Sequence, residues 1–295
     1  MGNIAVGIGE ILWDMLPEGR KLGGAPANFA YHVSQFGLES CIVSAVGEDS
    51  LGYGILDTIR SKGLDERIAT VPYSTGTVDV KLDSDGIPRY NIKEGVAWDS
   101  IPFTEELGKL ASETSAVCFG SLAQRNLTSR ETIGRFLDAM PDRKDTLKIF
   151  DINLRQDFYT RETVEASLEK CNILKINDEE LAIVSRMLGY AEKDQEKRCR
   201  NLMDRYSLKV LILTCGVNGS YVFVPGEVSF IETPKVKVAD TVGAGDSFTG
   251  SFTAALMKGM KVQDAHRLAV DVSAYVCSQA GAMPVLPDNL RSRLE

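Results

Sequence analysis

Short apolar runs recur along the chain, separated by stretches with helical periodicity. Ile4–Ile8, Cys41–Val46, Ala116–Phe119, Lys148–Ile152, Ile173–Ile176 and Val210–Leu213 read as buried strands. Pro26–Phe36, Leu51–Ser61, Ser129–Met140, Thr160–Glu169, Asp178–Leu188 and Lys193–Tyr206 are amphipathic and read as helices. Strands that are apolar throughout, alternating with helices, predict an α/β fold: a mostly parallel sheet with helices on both faces. Ligands of such sheets bind beyond the carboxyl ends of the strands. One segment breaks the pattern. Gly76–Asn91 alternates around Asp85-Gly86, a hairpin signal, and would stand outside the covered sheet as a small flap. We expect one domain over residues 1–295 with a lid hairpin at about 73–99.

Composition narrows the partners. The chain has 295 residues, 44% hydrophobic and 25% charged, which excludes extended disorder. A net charge of −8 argues against nucleic acid or an anionic membrane as partner. An anionic ligand would need a local device such as a helix N-terminus. The six cysteines form no CxxC pair, so reduced, mostly buried thiols are expected, with no zinc site. Met1–Leu12 lacks a basic leading region and is too short to span a bilayer, so a cytoplasmic protein is expected.

The strongest chemical signal is Asp240-Thr241-Val242-Gly243-Ala244-Gly245-Asp246, which opens the apolar helical stretch Ser247–Lys258. Small residues entering a helix expose backbone N–H groups that lack intrahelical partners, and the helix dipole adds positive potential. The result is an anion hole built from Gly243, Ala244 and Gly245, with Asp246 beside it to accept the proton of an attacking hydroxyl. Gly23-Gly24-Ala25-Pro26-Ala27-Asn28 leads into another helix. Its glycines admit a ligand to the backbone, and Asn28 can donate and accept at once, as a sugar hydroxyl requires. Read alone, either aspartate of the first string is equally a local helix-start charge, and the Gly-Gly pair of the second reads as a plain loop into a helix.

Together, and in this order about 215 residues apart, these strings resemble the paired signatures of the PfkB family of carbohydrate kinases, which have the ribokinase-like fold. Gly37 and Gly47 continue the first signature at the family's spacing; Ser251 departs from the second, where Ala or Gly is usual. The resemblance runs from Gly9-Glu10 to Gly281-Ala282-Met283-Pro284. It implies ATP-dependent phosphorylation of a small sugar, with Mg²⁺ and a flap-mediated homodimer. By motif it implies that Asp14, Gly24 and Asn28, with Arg89 on the flap, bind sugar, and that Arg155 of Asp151-Ile152-Asn153-Leu154-Arg155 braces the transferring phosphoryl group. Asn177 and Glu180 resemble the pair that acts on magnesium and phosphate, largely through water, and Thr214, Gly216 and Gly219 the turn that holds the nucleotide. Asp240 and the backbone around Gly281 match the position of a monovalent cation, K⁺. Gln124 and Arg125 receive no role.

The spelling of the first signature together with D-x-N-x-R is most similar to fructokinase; ketodeoxygluconate kinase is the alternative, ahead of ribokinase or a nucleoside kinase. A silent sugar sensor on the same fold is the alternative from another class, and the intact Asp246 and Gly243–Gly245 argue against it. Gly7-Ile8-Gly9 lacks the third glycine of a dinucleotide fingerprint, and neither a GxxxxGK[ST] loop nor a protein-kinase motif set is present.

Overall fold

The computed structural model describes residues 3–16, 19–82 and 88–294. Its strands are β1 (Ile4–Ile8), β2 (Leu12–Leu16), β3 (Gly19–Gly23), β4 (Glu39–Gly47), β5 (Asp65–Val71), β6 (Thr77–Leu82), β7 (Pro88–Ile92), β8 (Thr114–Phe119), β9 (Leu147–Asp151), β10 (Ile173–Asn177), β11 (Val210–Thr214), β12 (Ser220–Val224) and β13 (Glu227–Ile231). The α-helices are α1 (Ala25–Ser34), α2 (Ser50–Ser61), α3 (Glu105–Glu113), α4 (Leu127–Ala139), α5 (Arg161–Lys170), α6 (Asp178–Met187), α7 (Gln195–Tyr206), α8 (Ala244–Met257), α9 (Val262–Cys277) and α10 (Asp288–Arg291). No helix among the described residues is long and apolar enough to cross a membrane.

The main sheet has nine strands in the order β13-β12-β11-β10-β9-β8-β1-β4-β5. From β5 to β11 every pairing is parallel; only β12 and β13 join antiparallel. Strand side chains alternate between two cores. Val6, Ile8, Leu174, Ile176, Leu211 and Leu213 pack with α3–α7, while Ala5, Ile173, Val210 and Ile212 pack with α1, α2, α8 and α9. Period two therefore divides each apolar run between the helical layers. The six cysteines are free, and all but the half-buried Cys277 are buried, as expected from the sequence.

The strand order reverses at β1, which pairs with β4 on one side and β8 on the other. A crevice forms beyond the carboxyl ends of strands at such a switch point. The flap stands over this end and is larger than the expected hairpin. It is a four-stranded sheet in the order β3-β2-β6-β7, so residues 12–23 contribute half of it. Hairpin logic finds β6 and β7 because they pair locally. The parallel pairing of β2 with β6, Asp14 opposite Val78, leaves no short-range signal. The Asp85-Gly86 turn lies outside the described residues.

Candidate active site

The start of α8 is built by its sequence. Its N-cap, Gly243, has φ 78°, and a Cβ there would lie 2.5 Å from the Ala282 Cβ, so only glycine fits. The Ala244 N–H turns back to the Thr241 carbonyl at 3.3 Å and closes the loop. Asp246 follows in the first turn. At α1 the N-cap is Gly24, φ 118°, where a Cβ would lie 2.4 Å from the Glu10 carbonyl oxygen. Pro26 occupies the first turn and needs no N–H partner there.

The two signatures meet through side chains. Asn28 Nδ2 donates to Asp246 Oδ2 at 2.7 Å. Burial raises the Asp246 pKa to about 6, aided by the charge of Asp151 and opposed by Asn28, Lys175 and Arg155. A carboxylate so placed can accept a proton near neutrality.

Lys175 and Asp151 form a buried ion pair at 3.0 Å, and Asp151 also accepts from Thr249 Oγ1 at 3.1 Å. The Lys175 ammonium reaches the start of α8, where a Cβ on Gly245 would lie 2.9 Å from it. Burial alone would lower the Lys175 pKa; Asp151, Glu180 and Asp246 reverse that and raise it. A fixed cation thus reinforces the positive end of the helix dipole. Lys175 was missed in the sequence reading, although a lysine interrupting the apolar run Ile173–Ile176 was a usable signal. Glu10 was missed too. It is 3% exposed, and burial raises its pKa to about 7.

Asn177 and Glu180 form a capping box on α6. Asn177 Oδ1 accepts from the Glu180 N–H at 2.8 Å, and Glu180 Oε2 accepts from the Asn177 N–H at 2.9 Å. The other Glu180 oxygen accepts from the Leu154 N–H at 2.9 Å. Glu180 thereby holds the loop carrying Arg155, in which Asn153 and Gln156 have φ 43° and 48°, uncommon values for non-glycine residues. The charge of Arg155 opposes the rise in the pKa values of Glu10, Asp14 and Asp246. Thr214 ends β11 in register with Asn177, and the turn containing Gly216 and Gly219 follows at the same edge of the sheet.

On the flap, Asp14 in β2 pairs across from Lys21 in β3. Burial and Asp240 raise the Asp14 pKa to about 6. Lys21 Nζ lies 3.5 Å from Asp240 Oδ2, the same oxygen that accepts the Gly281 N–H at 3.2 Å, while Oδ1 accepts the Val242 N–H at 3.0 Å. Burial would raise the Asp240 pKa, but these donors lower it. A monovalent cation at this carboxylate would compete with the Lys21 ammonium. Arg89 lies in β7 opposite Lys81; its side chain is outside the described residues.

A family model for the pfkB carbohydrate kinases matches residues 19–289, which spans both signatures and nearly the whole chain. The chain belongs to the pfkB family of carbohydrate kinases. Among its relatives, the ATP-dependent 6-phosphofructokinase of Thermoanaerobacterium thermosaccharolyticum is 29% identical, covering 95% of this chain and 90% of its own. The fructokinase of Klebsiella pneumoniae is 30% identical, covering 97% of this chain and 98% of its own. The crystal structure of fructokinase with bound ATP from Xylella fastidiosa superposes with a TM-score of 0.86, covering 100% of this chain and 98% of that one; at 19% identity it speaks for the fold.

This pfkB kinase keeps Gln124 and Arg125 for architecture. Gln124 Nε2 donates to the Gly120 carbonyl at 2.8 Å and to Ser167 Oγ at 3.0 Å. The Arg125 guanidinium sits 4.0 Å from the Trp98 ring and 4.5 Å from the Phe158 ring, and it grips Asp99 with bonds of 2.8 and 2.9 Å. It joins the segment that follows β7 to the loop that follows Arg155.

Proposed function

We propose that this sugar kinase transfers the γ-phosphoryl group of ATP to a hydroxyl of a small sugar, with D-fructose, giving fructose 6-phosphate, as the leading acceptor. The observation that carries the reading is the half-buried Asp246 carboxylate held by Asn28 at the start of α8, one residue past the point where Lys175 meets Gly245. In this reading Asp14 and Asn28 bind sugar hydroxyls, with the Gly24 backbone and Arg89 completing that side of the site. Asp246 takes the hydroxyl proton. Gly243, Ala244, Gly245, Lys175 and Arg155 stabilise charge on the transferring group. Thr214, Gly216 and Gly219 hold the nucleotide.

Magnesium would enter with the nucleotide. No group of three or more His, Cys, Asp or Glu residues that could hold a metal occurs among the described residues. Both Glu180 oxygens already accept backbone N–H groups, but each keeps a lone pair for a metal-bound water. That fits a hydrated ion, which would supply positive charge to offset that of the phosphates. Glu180 and Asn177 are the residues that would hold it.

A second reading, a sugar phosphate as acceptor, is favoured by Lys21, a cation paired across from Asp14. The test is an ADP-release assay with ATP and Mg²⁺ over fructose, ribose, ketodeoxygluconate and fructose 6-phosphate, with the product position read by NMR. Fructose turnover supports the first reading, and preference for fructose 6-phosphate supports the second. No turnover with any acceptor sinks both and favours a sugar sensor. We place the enzyme in the cytoplasm as a homodimer joined by the exposed lid edges β3 and β7. Sedimentation as a monomer at micromolar concentration would remove the dimer.

A further inference from the structure

Gly243, the left-handed N-cap of α8, is backed by a single peptide group. A Cβ on Gly243 would lie 3.0 Å from the Ala282 carbonyl oxygen, besides touching the Ala282 Cα and Cβ. The same oxygen is bonded to His32 Nε2 at 2.9 Å, and His32 is fully buried. A carbonyl can only accept, so Nε2 carries the ring proton. Burial brings the His32 pKa down to about 4 against the pull of the Ala282 carbonyl, so the ring is neutral and has one N–H to give. The residues after Ala282 are held from the same side. Lys62 Nζ, just past α2, reaches the Met283 carbonyl at 3.4 Å. Gln35 Nε2 donates to the Pro284 carbonyl at 3.2 Å, and Gln35 Oε1 accepts the Leu286 N–H at 2.7 Å. Of these carbonyls, the one held by His32 is the one against Gly243. Helix α1 can reach it because it crosses α8 closely: a Cβ on Gly250 would lie 2.8 Å from His32 Cβ. Asn28, one turn earlier on α1, bonds Asp246.

We propose that His32 is a positioning residue for phosphoryl transfer: its Nε2–H pins the Ala282 carbonyl behind Gly243 and so sets the shape of the anion hole at the start of α8. The proposal rests on reading that turn as the anion hole. One helix then aligns both halves of the site, Asp246 through Asn28 and the Gly243 turn through His32. Backbone N–H groups stabilise developing charge only when they are aimed at it beforehand, so a small displacement of the turn costs rate more than sugar affinity. Without the His32 N–H, the Ala282 carbonyl is a buried acceptor with no donor, and the peptide must shift away from Gly243 to find one.

The first measurement is made on the wild type. The ¹⁵N spectrum of the His32 ring at about pH 7 should show Nε2 protonated and Nδ1 bare. The opposite tautomer, or a doubly protonated ring, overturns the proposal. The second compares His32→Leu, which fills the space without a donor, with His32→Gln, whose amide nitrogen can still donate. In His32→Leu the backbone amide signals of Gly243–Gly245 should shift, and kcat should fall on the order of 10–100-fold with a smaller change in sugar KM. His32→Gln should keep the wild-type amide signals and most of the turnover. Equal losses of kcat in the two variants, or a lower Tm in His32→Leu with kcat unchanged, overturn the pin. If His32→Leu does not fold, the ring tautomer and His32→Gln still decide, because a folded His32→Gln without turnover also overturns it. If the wild type turned over no sugar, the kinase reading would fail, while the amide signals would still report whether His32 holds the turn.

Discussion

Asp246→Asn preserves the shape of the side chain and its acceptor for Asn28 while removing the charge. If Asp246 is the base, kcat should fall by roughly 10²–10⁴-fold with little change in the sugar KM. Stability should move the other way. The fold raises this carboxyl from 3.8 to about 6, chiefly by burial and then by repulsion from Asp151. Holding it ionised at neutral pH costs about 3 kcal/mol, taking about 2 units at 1.36 kcal/mol each. The asparagine avoids that cost, so its Tm should rise, by roughly 5 °C for a chain of this length. The sign with pH follows. A raised carboxyl pKa means that the folded state binds the proton more tightly. The Asp246 contribution to wild-type stability therefore declines as pH rises from about 4 to about 6 and levels off above, and the gap between the proteins should narrow at pH 5. Thermal melts at pH 5 and pH 7, with turnover on the same preparations, test both halves. An unchanged or lower Tm at pH 7 refutes the burial argument. Near-normal turnover removes Asp246 from the chemistry.

Asp14→Ala should raise the KM for sugar far more than that for ATP, because the lost carboxylate leaves sugar hydroxyls unpaired; equal effects on both substrates would make Asp14 structural. Glu180→Ala leaves the Leu154 and Asn177 N–H groups without acceptors, at about 1–3 kcal/mol each, so both Tm and kcat should fall; a drop in kcat at constant Tm would point to the metal instead. Lys21 already stands at Asp240, so wild-type turnover should respond little when potassium replaces sodium, and Lys21→Met should become the more potassium-dependent enzyme. Strong potassium activation of the wild type would refute this.

The sheet, its two helical layers and both signature turns were legible in the sequence because each rests on a local rule. Period two divides Leu174 and Ile176 from Ile173, and a left-handed backbone at position 243 admits only glycine. The anion-hole turn and the Asn28 helix start are likewise short strings with a conformational reason. What the tertiary structure decided is which distant groups share a buried space. Asn28 and Asp246 are 218 residues apart, and Lys21 and Asp240 219. Strands β2 and β3 join the β6–β7 hairpin through the pairing of β2 with β6, and so Asp14 reads in sequence as a loop residue. Glu10 and Lys175 are single charges in apolar surroundings. Their meaning depends on desolvation and on which opposite charges fold beside them. No local pattern encodes that, because burial energies and Coulomb terms are set by three-dimensional distance rather than by position along the chain.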